Sequence, residues 1–344
     1  MNSTLQCFCH IEKFVNYFKY DQNVKEIVKK NKENLTSSFK LLIEKIWPDN
    51  YDAPYFNNKV YAPEEFKKKI SKMNPLFEGI AANDAKDLVN FLIMTLHQEL
   101  NKANDNNNNM ILDQRNPQLM LTNFVQTFTS NNISIISDLF YAMNCNITQC
   151  HGCTTKIYNY QTYFFLVFPL EEVHKYKYSN PNFFNMFNNN FNNNEVNIFD
   201  CFEYDRKINL MTGENSMYCN YCKNTCNCSM CTYLTTSPEI LVIVLNRGNG
   251  NEFKVKINFS VDLNLYNYIE LKNTGYYYNL IGVITHLGES SMSGHFIAYC
   301  RDPIKGLWHK YNDAIVNEVT NFQKEVIDFG MPYLLFYQKK LLNN

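Results

Sequence analysis

Apolar residues in the first twenty positions recur at helical spacing. Leu5, Phe8, Ile11, Val15 and Phe18 share one side, which predicts one amphipathic helix over 1–20. A second helix is predicted over 34–47, with Phe39, Leu42, Ile43 and Ile46 on its apolar face. Pro63-Glu64-Glu65 opens a third that runs through Ile70, with proline early and acids in the first turn. The cleanest stripe is Leu88, Phe91, Leu92, Leu96 and Leu100, which predicts a helix from Asp84, its N-cap, to Asn101. From about Ile133 the pattern shifts toward strand. Tyr163 to Leu170 reads as one strand run, and Phe253 to Phe259 alternates. Ile240 to Leu245 is continuously apolar, as a buried central strand would be, and Tyr333 to Tyr337 is a last strand. Helical residues first and strands after them predict an α+β fold. Two polar stretches, Asn104 to Asn109 and Asn182 to Asn194, read as surface inserts.

The stretch from Ile281 to Val316 holds three short apolar runs separated by turn-rich segments, the mark of antiparallel strands. His295 begins the second run, directly after Ser293-Gly294, and Asn312-Asp313 end the third. Antiparallel neighbours bring such ends together. An imidazole beside an amide or carboxylate supplies a base and its orienter, two parts of a nucleophilic triad. His286 lies upstream of the loop between the first two runs and is expected to tune it. His309 is expected at the surface.

Cys150-His-Gly-Cys153 and Cys219-Asn-Tyr-Cys222 are two Cys-x-x-Cys knuckles. Each presents two thiolates from one tight turn, and two such turns complete a tetrahedral four-sulfur site suited to a structural Zn2+. Their wide separation places them at the tips of separate hairpins. Cys226, Cys228 and Cys231 lie close enough in sequence to substitute. The 344 residues are 45% hydrophobic, with 12 cysteines and a net charge of −1. That charge gives no global basic field for nucleic acid. No apolar run approaches a membrane span, and residues 1–6 lack the pattern of a signal peptide. A soluble protein of a reducing compartment is expected, in the cytoplasm or nucleus, with cysteines that hold metal rather than disulfides.

Ser293-Gly-His295-Phe-Ile-Ala-Tyr299, Trp308, Tyr311-Asn-Asp-Ala-Ile-Val316 and Tyr333-Leu-Leu-Phe-Tyr337 together resemble the histidine box of the ubiquitin-specific proteases. Ala82-Asn-Asp84-Ala-Lys-Asp87-Leu resembles that family's Gln-Gln-Asp-Ala-x-Glu-Phe segment, and the knuckles fall where its fingers bind zinc. The strand after the second knuckle, Pro238 to Arg247, is similar as well. The resemblance covers nearly the whole chain. It implies a papain-like fold forming one catalytic domain over 1–344. Residues 1–130 would be a helical thumb, 131–240 mostly fingers with the zinc, and 241–344 a palm. It also implies a monomer that binds ubiquitin and ubiquitinated proteins. Its activity would be thiol-dependent hydrolysis of the (iso)peptide bond after ubiquitin's C-terminal glycine.

In that reading His295 is the catalytic base and Asn312 its direct partner, with Asp313 beside it as support or alternate. Asp84 and Asp87 would hold the arginines of ubiquitin's tail, carboxylates matched to guanidinium forks. Asp87 stands where the family has the longer Glu, and Asp84 could equally be only a helix cap. The family's cysteine box runs Gly-Asn-Thr-Cys-Tyr-Met-Asn-Ser-x-Leu-Gln, whereas this chain begins Met1-Asn2-Ser3-Thr4-Leu5-Gln6. The nucleophile is therefore expected two residues before Met1, in a longer protein. The alternative is a ubiquitin-binding relative that does not cleave. Cys7 and Cys9 lie two turns into the first helix, about 10 Å along it, and are poor substitutes.

Overall fold

The computed structural model describes residues 1–48, 60–79, 84–103, 113–179, 195–247, 255–290 and 293–340. Both asparagine-rich inserts, Phe253 and Ala82-Asn83 lie outside the described residues. The helical half consists of α1 (Asn2–Cys9), α2 (Glu12–Tyr20), α3 (Gln22–Lys30), α4 (Leu35–Ile46), α5 (Glu64–Met73), α6 (Ala85–Leu100), α7 (Pro117–Asn131) and α8 (Ile135–Phe140). Polar side chains start several of them. Asn34 accepts from the Ser37 N–H at α4, and Asp84 accepts from the Lys86 N–H at α6. Pro63 precedes α5, and Glu64 and Glu65 sit in its first turn, where the helix dipole favours negative charge.

The expected single helix over 1–20 is two. His10 takes φ −105° and ψ 6°, and Ile11 is extended. The Gln6 carbonyl, which the His10 N–H would use in an unbroken helix, instead accepts from His10 Nδ1 at 2.7 Å. The His10 N–H turns to the Cys7 carbonyl at 3.2 Å. The bend lets successive helices point into one core. The Phe8 ring lies 5.8 Å from Phe14, 5.6 Å from Phe140 and 5.9 Å from Phe336.

The large sheet contains β3 (Leu166–Pro169), β9 (Ile240–Asn246), β12 (Tyr277–Ser290), β13 (Ser293–Arg301), β14 (Trp308–Asn312), β15 (Ile315–Glu318) and β16 (Pro332–Lys339). Their order is β15-β14-β13-β12-β16-β9-β3, with β11 (Asp262–Asn264) beside β12. Pairings are antiparallel except β3 with β9. Ile240, Val242 and Val244 face the helical half. Leu241, Ile243 and Leu245 face a second core with Val196, Ile198 and Phe202. Successive side chains of a strand point to opposite faces, so a strand covered on both sides must be apolar throughout. The second cover is α9 (Leu170–Ser179), α10 (Ile198–Asp205) and the parallel pair β4 (Glu195–Asn197) and β10 (Lys256–Asn258).

A separate antiparallel sheet carries the cysteines. Its order is β2 (Lys156–Tyr163), β1 (Ala142–Cys150), β8 (Cys228–Leu234) and β5 (Asn209–Met211). The small hairpin of β6 (Met217–Cys219) and β7 (Asn224–Cys226) stands beside it. The expected strand over 163–170 is divided here. Tyr163 ends β2, the chain bends at Phe164-Phe165, β3 joins the other sheet, and Leu170 already begins α9. The bend is where the chain changes sheets, and Phe164 and Phe165 turn to the helical core. Helix α8 also departs from the expected strand character after Ile133. It is six residues long, too short for a periodicity to register, yet it buries Ile136, Leu139 and Phe140.

Truncating Phe8, fully buried among three rings, removes a large side chain from the point where α1, α8 and β16 meet. Phe8→Ala is expected to lower unfolding free energy by about 3–5 kcal/mol in urea titration. A loss under about 1 kcal/mol would mean that this junction does not hold the helices to the sheet.

Candidate functional site

His295 stands near the start of β13, and Asn312 ends β14. Ala298 pairs with Tyr311 across these strands. Continuing that register sets Ile297 opposite Asn312, so His295 is its diagonal neighbour on the same face. The His295 Nε2–Asn312 Oδ1 distance is 2.7 Å. An amide oxygen only accepts, so Nε2 carries the proton and Nδ1 of the neutral ring keeps its lone pair. The Asp313 carboxylate is 3.6 Å from the same Nε2 and more open to solvent. Asp313 lies past the end of β14, in the left-handed region at φ 49°, a conformation Asp tolerates better than most residues. Gly294 precedes the histidine because there is no space for a side chain. A Cβ there would come within 2.2 Å of the His286 ring. His286 is buried, packs on Phe296 at 4.8 Å, and has its pKa lowered by that burial.

The N-terminal end of α1 is fastened beside this pair. Asn2 Nδ2 donates to Asp313 Oδ1 at 2.8 Å, and Ser3 Oγ donates to the Phe296 carbonyl at 2.7 Å. Further along, α1 presses on β12. A Cβ on Gly282 would meet Cys7 Sγ at 3.2 Å. Cys7 and Cys9 are both buried, Cys7 Sγ lies 3.8 Å from Cys300 Sγ, and burial pushes the Cys9 thiol far up. Both thiols are thus held in the core, Cys7 against Cys300.

Under the pair lies His10, a residue the sequence patterns did not single out. Its Nδ1–H donates to the Gln6 carbonyl, so its Nε2 accepts from the Tyr311 hydroxyl at 2.9 Å. Tyr311 is next to Asn312, and the Trp47 indole packs edge-on to His10 while donating to the Cys9 carbonyl at 2.7 Å. Burial lowers the His10 pKa to about 4. His309, expected at the surface, is half-buried because β14 has β13 on one side and β15 on the other.

Asp84 is indeed the cap of α6, and the same Oδ1 also accepts from the Tyr333 hydroxyl at 2.5 Å. Burial, then the bond to Asp84, raises the Tyr333 pKa. Tyr333 packs on Phe296 at 5.3 Å, which links Asp84 to the residue after His295. Asp87 is one turn on, partly exposed, with Lys86 Nζ 3.8 Å away.

At the separate antiparallel sheet, Cys150, Cys153, Cys219 and Cys222 place all four sulfurs within 4.8 Å of one another. Cys150 ends β1 and Cys153 lies in the β1–β2 turn; Cys219 ends β6 and Cys222 lies in the β6–β7 turn. The Cys150–Cys222 and Cys153–Cys219 sulfur separations are 3.9 Å and 3.7 Å. A four-thiolate tetrahedron with about 2.3 Å bonds has edges of about 3.8 Å, so the donor set fits such an ion. Backbone N–H groups of Cys153 and Gly152 lower the Cys150 pKa to about 6, against its desolvation.

Residues 1–337 match a family model described as ubiquitin carboxyl-terminal hydrolase. The chain belongs to this family. Its members here are ubiquitin-specific proteases. The bovine and human relatives named ubiquitin carboxyl-terminal hydrolase 2 are each 27% identical over 98% of this chain and 53% of their own length. The chain thus spans about half the length of these curated relatives. A yeast relative, ubiquitin carboxyl-terminal hydrolase 4 of Saccharomyces cerevisiae strain YJM789, is 23% identical over 98% of this chain and 38% of its own. Among solved structures, the Ubp8–Sgf11–Sus1–Sgf73 DUB module of SAGA bound to monoubiquitin aligns with a TM-score of 0.71 at 19% identity. That alignment covers all of this chain and 67% of the other. The α+β ubiquitin-specific protease fold expected from the sequence is therefore the fold observed.

The neutral His10 makes stability depend on pH. Its unfolded pKa is near 6.5 and its folded value about 4, so the unfolded chain binds the extra proton between them. Stability is then full above about pH 6.5 and falls as pH drops toward 4, by roughly 3 kcal/mol. Denaturant titrations of wild type and His10→Gln across pH 7 to 4 should show a shallower decline in the variant. Parallel curves would remove His10 as the source.

Proposed function

We propose that this chain is the catalytic domain of a deubiquitinase, hydrolysing the (iso)peptide bond that follows ubiquitin's C-terminal glycine. One observation carries the reading: the N-terminal end of α1 is fastened to the residues next to the His295–Asn312 pair, Asn2 to Asp313 and Ser3 to the Phe296 carbonyl. A thiol presented at that helix end, just ahead of Met1, would face the unprotonated Nδ1. The helix dipole and a neighbouring imidazolium favour the thiolate there. The thiolate attacks the glycine carbonyl, backbone N–H groups receive the oxyanion, and His295 protonates the departing lysine amine; water, giving a proton to His295, then hydrolyses the thioester, releasing the glycine carboxylate and restoring the thiol. Asn312 holds the ring in its tautomer, and Asp313 supports from the next position. The helical layer would serve as thumb, the large sheet as palm and the thiol-bearing sheet as fingers, gripping one ubiquitin from a monomer. Asp84 gives one oxygen to its cap and Tyr333, which leaves Oδ2 and the Asp87 carboxylate for the arginines of ubiquitin's tail. The proposed setting is cytoplasmic or nuclear.

The chain extended at its N-terminus by Gly-Asn-Thr-Cys-Tyr is expected to release fluorophore from a ubiquitin C-terminal conjugate. His295→Ala and Asn312→Ala in that background should each lose roughly 10²- to 10⁴-fold in kcat/KM. Asp313→Ala should lose less than Asn312→Ala, and the reverse ranking would move the orienting role to Asp313. Ubiquitin binding with no turnover by the extended chain would favour a non-cleaving ubiquitin receptor instead.

We also propose that the four-thiol site holds zinc, which ties the two hairpin tips where the sheet has little apolar core. Elemental analysis should find one zinc per chain, lost in Cys150→Ser and in Cys219→Ser. Full metal content in both variants would refute this ligand set.

A further inference from the structure

A fifth sulfur stands beside the four. Cys226 Sγ is 3.7 Å from Cys222 Sγ, the same spacing that separates ligands within the set. Cys222 and Cys226 ride on one short hairpin, the first in its turn and the second at the end of β7. Both are only half-buried, whereas Cys150 and Cys219 are buried at 5% and 9% exposure. The opposite knuckle makes space for the extra sulfur. A Cβ on Gly152 would lie 2.6 Å from Cys226 Sγ and 3.6 Å from Cys150 Sγ. Any other residue at 152 would have to displace the Cys226 side chain. The two remaining nearby cysteines are directed at backbone. The Cys228 thiol points to the Cys226 carbonyl at 3.5 Å, and the Cys231 thiol to the Ile147 carbonyl at 3.9 Å.

We propose that Cys226 is a reserve ligand that replaces Cys222, so the site is a five-thiol centre serving one four-coordinate ion. The inference rests on the zinc reading above. Zinc has no geometric preference imposed by d-electrons and accepts any four thiolates that reach tetrahedral positions. When Cys222 is lost, by alkylation for example, its Zn–S bond breaks. The Cys226 thiol gives its proton to water, and a new Zn–S bond forms from its sulfur. Ligand count and the charge of the centre are unchanged. A thiol held one tetrahedron edge from the vacated position reaches it by a side-chain rotation with a small shift of its short hairpin, where a thiol from bulk solution must be captured.

The test uses the full 344-residue chain and zinc alone. Wild type, Cys226→Ser and Cys222→Ser are each expected to retain about one zinc. Cys222→Ser/Cys226→Ser is expected to lose its zinc on purification, because only three thiolates remain. Gly152→Ala alone should keep its zinc, while Gly152→Ala/Cys222→Ser should lose it. Alkylation with iodoacetamide, read by mass spectrometry on zinc-loaded protein, gives an independent measure. Cys226 should be modified in wild type and protected in Cys222→Ser. Zinc loss in Cys222→Ser as complete as in the double variant would overturn the proposal, as would equal labelling of Cys226 in both proteins. A wild-type chain that binds no zinc would sink the zinc reading and the reserve ligand together.

Discussion

Helix α1 packs on β12 and β13 of the large sheet, and the groups around the His295–Asn312 pair are tied to that contact. Gly282 lets the helix come close enough for Cys7 to touch the strand, and Ser3 bonds the Phe296 carbonyl one residue past His295. Asn2 reaches the turn that carries Asp313. The break at His10 is part of the same contact. It ends α1 after two turns, sends α2 back into the core, and supplies an imidazole whose Nε2 holds Tyr311, the neighbour of Asn312. Helix and strands are thus held in one register by short polar bonds around an apolar seam.

The large sheet can be that reference frame because both of its faces are covered. Strands β9 and β16 send alternate residues into two cores, so shifting either strand by one position would exchange the two apolar sets. The thiol-bearing sheet is built on the opposite principle. Half of strand β2 is exposed, and the buried residues of the third cluster are all cysteines. A sheet with so little apolar burial gains rigidity from cross-links between its tips. Four sulfurs at tetrahedral spacing, with a fifth close by, stand at those tips and could hold a metal ion.

Much of this was legible along the chain because periodicity reports burial. The stripe from Leu88 to Leu100 marks α6, and the unbroken apolar run at 240–245 marks a strand covered twice. Turn chemistry and the Cys-x-x-Cys spacing located the knuckles. Elements whose burial is partial or brief escaped. Helix α7 has no fully buried residue, and α8, α9 and α10 are short. The split of 163–170 and the break at His10 also escaped, since both depend on partners distant in sequence: a second sheet in one case, a core between helices in the other. The half-buried state of His309 was hidden for the same reason.

For the site, residue types and order along the chain pointed to His295 with Asn312 or Asp313, and to Asp84 as a cap. Local sequence carries that much, because strand ends, caps and knuckles are short-range features. The choice of hydrogen-bond partner required three dimensions. Asn312 contacts Nε2 at 2.7 Å while Asp313 stands off at 3.6 Å and takes Asn2 instead. Tyr333 on Asp84, His10 under Tyr311 and Cys226 beside Cys222 are likewise products of packing. The sequence by itself determined the α+β class, the family resemblance and the chemical types available at each strand end. Tertiary structure alone decided which of those groups touch, since contacts between residues up to 311 positions apart depend on how helices and sheets close on one another.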